Sequence, residues 1–248
     1  MKDTYFLSDL HLGASYITDR RKHERKVVEF LRSLKHTASQ VFLLGDVLDY
    51  WYEYRTVVPR GHIRFFGVLS ELVDAGVRIT WLTGNHDIWL FDYLRDEIGI
   101  EVIDGDYVTA IGEQRFYLAH GDAVGKLPTG FRIIRSVFRN RFCQMLFSAI
   151  HPRWTVPFAH KWSSHSRATG EPEQPFDPSD DIFVKFAVEY NEVNCTEKVD
   201  YFIFGHRHIA VDQYVKNASA RVLVLGDWIS LFSYARYSNG TLTLQFYK

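Results

Sequence analysis

Short apolar runs that stop abruptly at a polar residue, usually beside a glycine, set the terms on which this chain can fold. Val41-Phe42-Leu43-Leu44 meets Gly45-Asp46, and Tyr5-Phe6-Leu7 runs into Ser8-Asp9-Leu10-His11. Val77 to Leu82 is released by Thr83-Gly84 into Asn85-His86-Asp87, and Arg115 to Leu118 leads to His120-Gly121-Asp122. Tyr201-Phe202-Ile203-Phe204 ends at Gly205-His206-Arg207-His208. Runs this short and this apolar mark strands covered on both faces. Segments of helical spacing lie between them. Val27, Phe30, Leu31 and Leu34 predict a helix over roughly Asp19 to Lys35, and Phe66, Leu69 and Val73 predict another stopped by Gly76. Phe183, Phe186, Ala187 and Tyr190 predict a third from Ser179. A strand over Val222 to Leu225 and hairpins about Gly112-Glu113 and Asn239-Gly240 complete an α/β pattern. Such folds place their chemistry where strands end.

The residues at those ends are metal-ligand types. Asp9 and His11, two apart in an extended segment, project to one side and can grip one ion. Asp46 is the candidate to bridge two ions, and Asp49, a turn beyond, the candidate to brace a ligand. Asn85 offers a neutral hard oxygen, and His86 beside it can face a substrate. His120, His206 and His208 repeat the placement; Gly226-Asp227 stands at a further strand end with no ligand role assigned. Alone, a D-x-H is a surface turn. Recurrence at several strand ends is what makes it chemistry.

At 248 residues and 46% hydrophobic content, one domain over 1–248 can bury a core. Cys143 and Cys195 are far apart with no C-x-x-C, which implies neither a disulfide framework nor a thiolate zinc site. No leader pattern and no run of the ~20 apolar residues needed to span a bilayer is present, so a soluble, cytoplasmic chain is expected. A net charge of −1 hides an uneven distribution: Gly125 to Gly170 carries eight Lys or Arg and no acid, which leaves −9 for the remainder. In that stretch Phe131, Ile134, Phe138, Phe142 and Leu146 can line one helical face with Arg132, Arg135, Arg139 and Arg141 elsewhere. Trp154, Phe158 and Trp162 extend it, and Pro172, Pro175 and Pro178 punctuate the exit. A helical cap insertion over about 125–178 is predicted. It is either a hairpin with a solvated basic face or a binding surface for a substrate with phosphate and acyl parts.

The blocks D-x-H, G-D-x-x-D, G-N-H-D, H-G-D and G-H-x-H, in that order from Asp9 to His208, resemble the signature of calcineurin-like metallophosphoesterases; the likeness extends to about Asp227. The resemblance implies a four-layer αββα sandwich with two central sheets and a dinuclear site. Asp9, His11, Asp46 and His208 would hold one ion, and Asp46, Asn85, His120 and His206 the other. Mixed nitrogen and oxygen donors suit two divalent ions, manganese first, with iron or zinc as alternatives. Such a pair can activate water and clamp phosphate oxygens. His86 is then expected to stabilise developing charge or help the leaving group, and Asp87 to orient it.

Within the superfamily, the insertion resembles the cap of the UDP-2,3-diacylglucosamine pyrophosphatases of the lipid A pathway. That implies manganese-dependent release of UMP and 2,3-diacylglucosamine 1-phosphate, with the basic cap resting peripherally on the cytoplasmic face of the inner membrane. Well-known members of that group carry Arg after the metal-binding Asn, where this chain has His86, as generic phosphoesterases do. The resemblance places substrate contacts at Asn85, His86, Ser163, Ser166 and Arg167. Three other readings compete. A Ser/Thr protein phosphatase continues its G-D-x-x-D with Arg-Gly, whereas Tyr50-Trp51 follow here. A nuclease or phosphodiesterase acting on nucleotides or nucleic acid is compatible with a basic aromatic patch. A non-catalytic binding module would lack ligands, and none is missing.

Overall fold

The structure, a computed structural model, describes residues 2–125, 127, 129–159, 176–194 and 196–248. Among these, the buried runs form two sheets. The first has six strands in the order β11-β10-β1-β2-β3-β4. These are β1 (Asp3–Leu7), β2 (Ala38–Leu44), β3 (Arg78–Leu82), β4 (Glu101–Ile103), β10 (Ser233–Ser238) and β11 (Thr241–Phe246). β1 to β4 are parallel, and the β10–β11 hairpin adds antiparallel to β1. The second has five strands, β5-β6-β7-β9-β8. They are β5 (Tyr107–Ile111), β6 (Gln114–Ala119), β7 (Tyr201–Phe204), β8 (Ala210–Val215) and β9 (Ala220–Leu225), with β6, β7 and β9 parallel.

Strand periodicity divides the core into three layers. Phe6, Phe42, Leu44 and Leu82 of the first sheet face Phe116, Leu118, Ile203, Leu223 and Leu225 of the second, all fully buried. Phe6 stacks on both Phe42 and Phe116, with ring centroids 5.3 and 5.7 Å apart. The alternate residues Tyr5, Leu7, Val41, Leu43, Ile79 and Trp81 point outward against helices α1 (Arg20–Ser33) and α2 (Ile63–Asp74). On the other side Phe202, Phe204, Val222 and Val224 pack under α7 (Ile182–Val193) through Phe183, Val184 and Ala187. Helix, sheet, sheet, helix is the predicted sandwich. A short α3 (Tyr93–Ile98) precedes β4. Sequence reading missed β8, an edge strand whose AVDQYV sets apolar and polar residues in pairs and so carries no period-two signal.

The insertion after β6 contains α4 (Thr129–Arg139), α5 (Arg141–Ser148) and α6, of which 152–159 are described. The expectation that Phe131, Ile134, Phe138, Phe142 and Leu146 line one helical face is therefore corrected: they lie on two helices. The chain breaks at Asn140, whose side-chain oxygen accepts from the amides of Phe142 and Cys143 and starts a second helix. Loops above the sheet hold the cap in place. Trp89 donates to the Phe138 carbonyl at 2.9 Å, Tyr52 to the Gln144 carbonyl at 2.6 Å, and Tyr54 lies 2.8 Å from Thr155 Oγ1. Buried Glu53 shapes that platform by accepting from the amides of Phe91, Asp92 and Tyr93 and from the Trp51 indole. Two of the cap's cations are already paired, Arg135 with Asp122 at 3.2 Å and Arg139 with Asp104 at 3.0 Å. No helix among the described residues is long and apolar enough to cross a membrane.

Candidate metal centre

Parallel strands put their carboxyl ends on one rim, and the five sequence blocks meet there. Asp9 and His11 follow β1, Asp46 follows β2, Asn85 and His86 follow β3, His120 follows β6, and His206 and His208 follow β7. Their donor atoms gather in overlapping groups: Asp9, His11 and His208; His11, Asp46 and His86; Asp46, His120 and His206. Asp46 Oδ2 is the shared point, 3.3 Å from His120 Nε2 and 3.8 Å from both His11 Nε2 and His86 Nε2. Asn85 Oδ1 lies 3.1 Å from His120 Nε2, and His206 Nδ1 lies 3.3 Å from the same atom. His208 Nε2 lies 3.6 Å and His11 Nε2 3.7 Å from Asp9 Oδ1.

The local backbone differs from the extended segment expected around Asp9 and His11. Asp9, His11, Asp46, His206 and His208 all have left-handed φ, between 43° and 69°. These tight turns accompany a split of His206 and His208 between different donor groups. Glycines make the crowding tolerable. A Cβ on Gly84 would fall 2.2 Å from Asp46 Oδ1, one on Gly205 2.6 Å from Asp9 Oδ2, and one on Gly45 2.7 Å from His120 Nδ1.

Several of the donors are held by their unused atoms. His120 Nδ1 donates to the Leu44 carbonyl at 2.9 Å, which leaves Nε2 to face the centre. Asp46 Oδ1 accepts from the His86 amide at 2.9 Å and Asp9 Oδ2 from the His206 amide at 2.9 Å. Asp49, expected to brace a ligand, sits between two rings with Oδ1 3.7 Å from His11 Nδ1 and 3.8 Å from His86 Nδ1. Asp87 is fully buried. It binds the amides of Val47 and Gly84 at 2.9 and 2.7 Å and the Trp81 indole at 3.2 Å, which ties the β2 loop to the β3 loop. The expectation that Asp87 orients the His86 ring is corrected, because its carboxylate is spent on these donors. Asp49, through its carbonyl at 3.1 Å as well as its carboxylate, is what flanks that ring. Asp227, given no role from the sequence, places Oδ2 3.4 Å from His208 Nδ1. The signal available was its position after a glycine at the end of β9.

Charges at the centre are strongly coupled. Burial opposes ionisation of Asp46, yet His120, His86 and His11 hold it well below the usual carboxylate range. Burial likewise opposes a charge on His11, but Asp49, Asp9 and Asp46 push it up to about 9. Asp46 raises His120 well above an ordinary histidine against the same burial, while burial and the neighbouring His120 depress His206 to about 4. Asp9 Oδ1 is buried with no hydrogen-bond partner. An orphaned carboxylate oxygen and two imidazole nitrogens facing each other are costly unless something cationic lies between them. The oxygen and nitrogen donors fit divalent ions of the manganese, iron or zinc type.

The helical insertion shows a large apolar surface: Ile133, Phe142, Met145, Leu146, Trp154 and Phe158 are all more than half exposed. A cleft of 520 Å³ runs along α4, lined by Leu127, Arg132, Arg135, Ser136, Arg139 and Asn140. Ser163, Ser166 and Arg167, expected to contact substrate, lie outside the described residues, as do Trp162, Pro172, Pro175 and Cys195.

Comparison with known proteins adds to this geometry. A family model described as calcineurin-like phosphoesterase matches residues 3–210. A protein of Porphyromonas gingivalis named UDP-2,3-diacylglucosamine hydrolase is 39% identical, over 97% of this chain and 96% of its own length. One of the same name from Neisseria meningitidis serogroup C is 26% identical over 92% of this chain and 90% of its own. Among solved structures, Vps29 of Chaetomium thermophilum aligns over 98% of this chain and 85% of that one at 12% identity, with a TM-score of 0.47.

Proposed function

The chain belongs to the calcineurin-like phosphoesterase family and is a metal-dependent hydrolase, and from that premise we propose that it cleaves the pyrophosphate bond of UDP-2,3-diacylglucosamine to UMP and 2,3-diacylglucosamine 1-phosphate. The observation that carries the substrate is the similarity to the Porphyromonas hydrolase along nearly the whole of both chains, cap included. The rim alone would suit many phosphoesters.

In this reading Asp9, His11, Asp46 and His208 hold one ion and Asp46, Asn85, His120 and His206 the other, with manganese as the resident metal. When bound, the pair would supply Lewis acidity to phosphate oxygens and activate water for in-line attack. Asp46 keeps one oxygen on the His86 amide and turns the other to both donor groups, which suits it to be shared. His86, 19% exposed at its side chain and flanked by Asp49, is placed to donate toward the leaving phosphate or its transition-state charge. Asp87 acts on the reaction only by fixing the loops that carry Asp46 and Asn85. Asn85 and His86 would touch the diphosphate, and Ser163, Ser166 and Arg167 would supply polar contacts from the cap.

The 125–178 insertion is then a cap on a single domain of 1–248. Its exposed apolar side chains would take acyl chains, and Arg132, Arg141 and Arg153 would meet anionic headgroups in peripheral contact with the inner membrane, on the cytoplasmic side. The test is UMP release from UDP-2,3-diacylglucosamine in detergent, set beside a panel of nucleotides and single-stranded nucleic acid. Turnover should vanish on chelation and return with Mn²⁺. Preferred cleavage of a nucleotide or nucleic acid would refute the substrate, and activity surviving exhaustive metal removal would refute the mechanism.

A further inference from the structure

Of the seven parallel strands, β1, β2, β3, β6 and β7 carry the metal-ligand blocks, while β4 and β9 do not. β9 ends at Leu225 and delivers Gly226 and Asp227 beside His208. Asp227 is 5% exposed, and apart from the Ser230 hydroxyl, which lies 3.1 Å from both, its two oxygens do different work. Oδ1 accepts from the amides of Ile229, Ser230 and Leu231 at 2.9, 2.6 and 3.1 Å and so closes the turn after β9. Oδ2 faces His208 Nδ1 at 3.4 Å, while the opposite ring nitrogen, Nε2, looks toward Asp9 Oδ1 at 3.6 Å. The imidazole is thus gripped along its length, with a carboxylate at one end and the candidate ion position at the other.

That turn is anchored from two sides. The Trp228 amide donates to the Asp9 carbonyl at 3.1 Å, and His23 of α1 lies with Nε2 2.8 Å from the Trp228 carbonyl. Trp228 itself is fully buried. The carboxylate is therefore fixed relative to the Asp9 loop as well as to His208.

We infer that Asp227 is a positioning residue for the dinuclear centre: its Oδ2 accepts a hydrogen bond from the Nδ1–H of His208, selects the tautomer whose Nε2 lone pair faces the ion, and thereby sets the affinity of the ion held with Asp9. This rests on the dinuclear reading above. The principle is general, since a carboxylate on the far nitrogen of a ligating histidine fixes its tautomer and raises its basicity. His208 is also the more open of the two histidines on the Asp9 side, with a side chain 20% exposed against 1% for His11. Of the histidines in that group, it has the greater need of an external brace.

The experiment is equilibrium Mn²⁺ binding to the full chain, read by calorimetry and by electron paramagnetic resonance, for the unsubstituted protein, Asp227→Asn, Asp227→Ala and His208→Ala. Asparagine keeps an oxygen for the turn amides but presents an NH₂ to His208 Nδ1, which favours the wrong tautomer. Asp227→Asn should melt close to the parent, bind one ion with parental affinity and the other about 10- to 100-fold more weakly. Its spin-coupled signal should give way to a single-ion spectrum like that of His208→Ala. Asp227→Ala should show the same metal defect and also a lower Tm. Parental affinity for both ions in Asp227→Asn would overturn the inference, as would an Asp227→Asn that melts as low as Asp227→Ala, because the carboxylate would then serve the turn alone. Fewer than two ions on the unsubstituted protein would overturn the dinuclear reading, and this inference with it.

Discussion

Gly84→Ala adds one methyl group to the rim and tests whether the packing around Asp46 is as tight as the geometry demands. The new Cβ would lie 2.2 Å from Asp46 Oδ1, 2.4 Å from the Asp46 amide nitrogen and 2.9 Å from its carboxyl carbon. Since contacts under 3.0 Å force something to shift, the carboxylate or its backbone must retreat by about 1 Å. Asp46 cannot swing aside freely, because Oδ1 already binds the His86 amide and its own amide lies 3.3 Å from Asp87. Overpacking of this kind costs roughly 1–3 kcal/mol of stability, and a misplacement of about 1 Å at a reacting centre costs about 10²-fold in rate. The expected result is a folded protein with a lower urea midpoint and a kcat/KM for UMP release down about 100-fold. Gly67→Ala makes the same chemical change in the exposed middle of α2 with nothing within 4 Å. It should leave turnover unchanged and raise stability by about 0.5–1 kcal/mol. Turnover by Gly84→Ala within about threefold of the parent would refute the reasoning, because Asp46 would then have room that the distances deny.

Two further outcomes follow from the cap and from the buried histidines. Replacing exposed Phe142 and Trp154 with Ser should cut turnover of the acylated substrate at least about tenfold while sparing a small chromogenic diester; equal losses on both would show that these side chains serve only the cap's own packing. The metal-free fold holds a proton on His11 up to about pH 9 whereas the unfolded chain releases it near 6.5. That proton therefore stabilises the metal-free protein fully below pH 6.5, and its contribution is lost as the pH rises through 9. Because a ligating nitrogen must give up its proton, Mn²⁺ uptake by the folded chain should release protons and tighten as the pH rises toward 9. Titration calorimetry in buffers of different ionisation heat measures this, and uptake without proton release would contradict it.

The strand ends are legible from the sequence because burial on both faces and a sudden glycine are local signals, carried by residues such as Val41 to Gly45. An α/β fold follows from their order, and the donors stand out by residue types that bind hard cations; the sandwich itself comes from the resemblance that the five blocks carry. What escapes is set by partners distant in the chain. Asp227 and His208 meet because β9 lies next to β7, a neighbour relation that no spacing encodes. Asp87 reads as chemistry by adjacency to His86, yet its environment is the backbone of 46–48 and 84. The break at Asn140 is hidden because apolar spacing continues through it; only the asparagine's preference for a helix start marks it. The edge strand β8 lacks the uniform burial that makes its neighbours obvious.

The left-handed turns at Asp9, His11, Asp46, His206 and His208 restrict which amino acids could ever occupy these places. Aspartate, asparagine and histidine enter that conformation several-fold more readily than other side chains, and branched residues scarcely at all. Glutamate chelates as well as aspartate but is not among the residues that favour such a bend. The small alphabet of the rim thus answers two demands at once, one from the ion and one from the peptide chain, and a substitution chosen only for its donor atom would satisfy the first and fail the second.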